Sequence, residues 1–95
     1  MRIRLTTRWV GPQDAKLVRE GELLRFYDRS WEPLMTVNVL LPDEPLEDGE
    51  ILVKDYSENE GLLACLVKEG VVEDTGRRIP SGFVELPVCK LLVDI

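Results

Sequence analysis

A chain of 95 residues, 44% hydrophobic and 32% charged, is long enough to bury one core and too apolar to stay disordered. No apolar run approaches the roughly 20 residues of a membrane span, and the absence of histidine removes most zinc sites and every Ser-His or Cys-His nucleophile pair. The net charge of −6 is regional: residues 42–60 carry eight acids and only Lys54, a local −7 that leaves the rest of the chain near +1.

In chain order, Arg2, Arg4, Thr6 and Arg8 alternate with Ile3, Leu5, Thr7 and Trp9, the period of a half-buried strand that Gly11-Pro12 ends. This alternation replaces the apolar block of a signal peptide, so a cytoplasmic location is expected. Residues 13–20 fit either a helical turn or an extension of the strand. Residues 22–28 form a second strand pattern, with Leu24 and Phe26 on one face. The turn chemistry of 28–33 joins it in a hairpin to a third strand over 34–41, where Met35, Val37, Val39 and Leu41 share a face. Pro42 stops that run, 43–49 is a surface loop, and 50–54 reads as a short strand.

The strongest local signal lies over 57–69, where one principal helix is expected. Ser57 and Glu60 have capping-box spacing, Leu62, Leu63, Leu66 and Val67 make an apolar stripe, and Gly70 supplies a left-handed stop. Beyond it come a brief extended piece at Val71-Val72, two turn clusters over 74–78 and 80–82, and strand segments broken at Pro87. The pattern predicts a single α+β domain over 1–95: a small antiparallel sheet of about four to six strands, packed by that helix. Cys65 and Cys89 read as reduced, buried, small apolar residues.

Three stretches together resemble a family. Residues 35–42 (MTVNVLLP), 57–61 (SENEG) and 75–89 (TGRRIPSGFVELPVC) are similar to an uncharacterised family of small bacterial proteins carried on phages, plasmids and other mobile elements. The resemblance covers 22–92 and implies a mobile-element accessory protein of about this size, acting in the bacterial cytoplasm. It carries over no catalytic residue.

Several patterns bear on chemistry. Val71-Val72-Glu73-Asp74-Thr75-Gly76 resembles the active-site turn of retroviral-type aspartic proteases. That site needs two aspartates sharing a proton, yet Arg77 and Arg78 follow directly and too little chain remains for the rest of such a fold. Residues 44–55 have acids at two calcium-loop positions, but Leu46 stands where an oxygen ligand is required. The glycines are isolated, so no phosphate-binding loop is present. No catalytic, metal or cofactor residues are therefore assigned.

The best candidate for binding is the acid cluster Asp43, Glu44, Glu47, Asp48 and Glu50, with Trp31 at a hairpin tip as a candidate anchor. These residues predict a non-enzymatic acidic protein, monomer or homodimer, that binds a basic host or phage protein. One specific form is a nucleic-acid-binding enzyme of the host whose groove the acids occupy in place of phosphates, as an inhibitor of a defence nuclease would. The alternative is a nucleic-acid-binding module using Arg2, Arg4 and Arg8, joined by Arg77 and Arg78; the acidity elsewhere and the scarcity of stacking aromatics weigh against it.

Overall fold

The apolar alternations are divided between two four-stranded antiparallel sheets, where the sequence predicts one. The computed structural model describes residues 1–95. Sheet one has the order β1 (Arg2–Leu5), β2 (Gln13–Glu20), β3 (Leu23–Tyr27), β4 (Pro33–Thr36). Sheet two has the order β5 (Asn38–Val39), β6 (Glu50–Val53), β8 (Val84–Leu91), β7 (Val72–Ser81). The single helix α1 (Leu62–Lys68) lies between β6 and β7 in the chain. The α+β class is as expected; the second sheet is the correction.

The division occurs inside the most regular run of the sequence. Residues 34–41 do not continue as one strand: β4 pairs with β3, and two residues later β5 pairs with β6 in the other sheet. Asn38 makes the transfer. It is buried, its Oδ1 accepts from Leu24 N at 2.8 Å, and its Nδ2 donates to Glu22 O at 2.9 Å, so a side chain replaces the ladder that β3 loses. The alternation therefore feeds two cores. Met35 and Val37 join the larger one between the sheets, while Val39 and Leu41 pack with Leu52, Ile79, Leu86 and Val88 on the outer face of sheet two. β6 is buried on both sides, which explains why Ile51-Leu52-Val53 is an unbroken apolar run.

The ambiguous stretch 13–20 is a strand, placing Ala15 and Leu17 in the larger core beside Ile3, Leu5, Leu24 and Phe26. The expected turn clusters of 74–82 are parts of one ten-residue strand, β7, with a register shift between Asp74 and Arg78. Pro87 does not break β8. It sits beyond the last β6–β8 partner pair, Leu52 and Val88, and opposite Arg78 at the end of the bulge, where a missing N–H leaves little of the ladder unmade.

The helix is shorter than the expected 57–69. Ser57–Asn59 is a 3-10 turn with Ser57 at φ 54°, and α1 begins only at Leu62. Ser57 caps nothing. Asp55 does so instead: its Oδ1 accepts from both Gly61 N and Leu63 N at 3.0 Å, which puts a carboxylate at the positive end of the helix. Gly61 takes φ 97° in a place where a Cβ would stand 3.1 Å from Arg8 N, so the chain turns into the helix through a residue without one. The stripe shifts as well: Leu62, Cys65 and Leu66 are buried, whereas Val67 is 45% exposed. The C-terminal stop is as read. Val71 N bonds to Leu66 O and Gly70 N to Val67 O, the paired bonds of a Schellman motif, with Val71 and Leu66 both buried.

The helix also covers an edge. Arg4 N donates to Glu69 Oε1 at 2.9 Å, Thr6 N to Cys65 Sγ at 3.5 Å, and the Cys65 thiol to Arg4 O at 3.5 Å. Side chains of and beside α1 thus occupy the β1 edge where another strand would pair.

Candidate functional site

The acidic loop is fastened to sheet two at three points. Leu46 packs on the smaller core, Leu91 N donates to Gly49 O at 2.7 Å, and Glu50 ties the loop to β7. The Glu50 side chain is only 9% exposed; it pairs with Arg77 at 3.2 Å, and its Oε1 accepts from Glu47 N at 2.9 Å. Glu50 therefore organises the loop from within. The other four acids, Asp43, Glu44, Glu47 and Asp48, are exposed and make no ion pair.

Beside the loop runs an open groove of about 600 Å³. Val39, Leu40, Leu41 and Leu46 supply much of its apolar lining, Glu22 and Glu44 bring negative charge to it, and Arg19 also lines it. The Arg19 Nε donates to Ile95 O at 2.8 Å, which holds that guanidinium against the chain end. The concavity joins parts of the chain far apart in sequence, so no local pattern announced it.

Trp31 is not part of this arrangement. The hairpin over 28–33 forms as expected, with Asp28 Oδ1 accepting from Ser30 N and Glu32 N at 2.8 and 3.0 Å. It belongs to sheet one, and Trp31 folds toward the outer face of that sheet: its ring centroid is 5.8 Å from that of Tyr27, and the Lys16 ammonium stands 3.9 Å above it. The larger core separates this face from the face that carries the acidic loop. The candidate set thus splits into an acidic loop on one side and an aromatic residue on the other.

The arginines are dispersed too. Arg8 lies outside β1, makes two 3.0 Å bonds to Glu60, and sits 4.8 Å over the Trp9 ring. Arg4 pairs with Asp14 at 3.3 Å, Arg77 with Glu50, and Arg78 with Asp74. In the bulge of β7, Asp74 accepts from Arg78 through both oxygens at 2.9 and 3.0 Å and from Gly76 N at 2.9 Å. The Arg78 bond, then the Gly76 bond, hold its carboxyl below the usual carboxylate range. That is the opposite of the proton-sharing environment an aspartic-protease dyad requires.

Both cysteines are free and buried. Burial, chiefly, pushes the Cys89 thiol up to about 11, so at neutral pH it is a protonated core residue. No group of three or more Cys, Asp or Glu side chains is placed to hold a metal ion, and no helix is long and apolar enough to cross a membrane.

Two features had no sequence signal pointing to them. Phe83 reads as the start of a strand, but it occupies the two-residue tip of the β7–β8 hairpin and is fully exposed. Lys16 meets Tyr27 only through the pairing of β2 with β3, and the fold brings Arg29 of the following hairpin loop to the same cavity wall as Lys16. Compared with family models, with curated proteins and with solved structures, the chain finds no match.

Proposed function

We propose that this is a non-enzymatic binding protein that uses the acidic loop and the groove beside it to hold a basic, partly apolar segment of another protein. One observation carries the reading: four unpaired acids stand on a loop that is already fastened down, next to an open concavity with a mixed apolar and polar lining. Free acids alone would only keep a chain soluble. Acids on a pre-ordered loop bind without the entropy of ordering it, and an apolar groove adds contact area that solubility does not need. The resemblance to mobile-element accessory proteins gives the reading its specific form, inhibition of a host defence nuclease through its nucleic-acid groove, in the bacterial cytoplasm.

A labelled basic amphipathic peptide titrated by fluorescence anisotropy tests the general form. Binding should weaken as salt rises. It should be lost when Asp43, Glu44, Glu47 and Asp48 are all changed to Lys, and kept when Glu58 and Glu73 are. Equal affinity for the loop variant and the parent would refute the assignment. For the specific form, the parent should slow DNA cleavage by a susceptible defence nuclease and the loop variant should not.

A further inference from the structure

We infer that the outer face of sheet one is a second binding surface, on the side of the molecule away from the acidic loop, and that it takes single-stranded nucleic acid. The argument begins with pairing. Arg2 is opposite Lys16 on β1 and β2, and Lys16 is opposite Tyr27 on β2 and β3, so the three side chains form one row across the sheet. Like charges placed directly opposite each other disfavour an antiparallel pair. Here a third cation is added: Arg29, from the hairpin loop, shares with Arg2 and Lys16 the wall of a cavity of about 130 Å³.

None of these three has a carboxylate partner, although Arg4, Arg8, Arg25, Arg77, Arg78 and Lys54 all do. Asp14, the acid on the cavity wall, is engaged by Arg4. A chain with net charge −6 has acids to spare, yet it sets three unpaired cations around one carboxylate that is already shared with a fourth. Such a cluster is matched by an anion from outside.

Two aromatic rings at the same place narrow the class. Tyr27 is anchored by its hydroxyl, which donates to Glu20 Oε1 at 2.7 Å, and Trp31 leaves 58% of its surface to solvent. The Lys16 ammonium resting over the Trp31 indole is a cation on a π-face; a base stacking there would take its place and free the lysine for the adjoining phosphate. Phosphate-binding cations beside rings on an open sheet face are the elements of a single-strand platform. An acidic protein would satisfy the cations and leave the rings unused. A duplex would keep its bases stacked internally and reach only the cations.

The test is a titration of the Trp9→Phe protein, whose remaining tryptophan is Trp31, with a short oligothymidylate. Quenching of the tryptophan emission is expected. Three phosphate contacts predict a slope of log K against log salt near −2, at roughly −0.7 per phosphate on a single strand. Arg2→Ala, Lys16→Ala and Arg29→Ala should each lower the slope's magnitude by about 0.7, and Trp31→Ala should weaken binding while leaving the slope almost unchanged. Circular dichroism of each variant checks that it folds. Binding of a labelled oligothymidylate, followed by anisotropy, without quenching would take the rings out of the site, displacement by polyglutamate as effective as by oligothymidylate would assign the face to acidic proteins, and either would overturn the proposal. Equal affinity for a blunt duplex would overturn the single-strand part, and no binding at low salt would overturn the whole. Reversal of the four loop acids should leave this titration intact, so it stands or falls apart from the acidic-loop reading.

Discussion

Asp55→Ala and Ser57→Ala should part company sharply, although the sequence pattern names the serine as the cap. Asp55 Oδ1 holds Gly61 N and Leu63 N at 3.0 Å each in partly buried surroundings. Bonds to an ionised acceptor exceed neutral ones, and the carboxylate also meets the positive end of α1. Truncation leaves two amides that water reaches only in part, for a loss of ~1–2 kcal/mol. In a domain of this size each kcal/mol corresponds to a fall in Tm of about 4–8 °C. Ser57 makes no side-chain capping bond and sits at a positive φ, so its truncation should change stability by less than ~0.5 kcal/mol. Urea unfolding followed by far-UV circular dichroism, with slopes compared to confirm that the unfolded states are alike, reads both numbers. If Ser57→Ala costs as much as Asp55→Ala, the capping box forms after all and the geometry described for residues 55–62 is wrong.

Asn38→Ala removes both bonds of the strand transfer and strands Leu24 N and Glu22 O. It should cost ~2–4 kcal/mol, measured in the same way, and a loss under 1 kcal/mol would mean the transfer does not depend on that side chain. For Asp74 the sign follows from a folded pKa below the unfolded one. Its stabilisation is complete above the unfolded value near 3.9 and is lost as pH falls through the lowered folded value. The parent should therefore lose ~0.5 kcal/mol more than Asp74→Asn between pH 5 and pH 2, a modest figure because the pair is partly solvated and shielded by salt. Finally, with its pKa at about 11, Cys89 is only about 0.1% thiolate at pH 8, and Cys65 is buried against β1. A thiol reagent should label both residues in urea and neither in the native protein within minutes; rapid labelling of Cys89 in the native state would contradict its burial.

Much of the architecture was legible from local patterns. Apolar residues at a period of two mark which side of a strand is wet, so the inward faces of β1, β3 and β4 could be read from Ile3, Leu5, Leu24, Phe26 and Met35. Turn residues act through their own backbone, and both the 28–33 hairpin and the stop at Gly70 formed where their chemistry lies. The burial of both cysteines and the concentration of acid over 42–60 also belong to the sequence alone.

What the sequence could not decide is which segments meet. Periodicity assigns a face but not a partner strand, so Met35 and Val39 look equivalent until Asn38 passes the chain from one sheet to the other. The same holds for charge. Glu50 and Asp48 are alike in a composition window, yet a contact with Arg77, 27 residues away, turns one into a structural bond and leaves the other free. Arg2 could be read as one arginine of a strand face and Trp31 as a hairpin tip, but no local pattern joins either of them to Lys16. Long-range pairing of β1, β2 and β3 places three cations and two rings on one face, and that assembly is a property of the tertiary structure only.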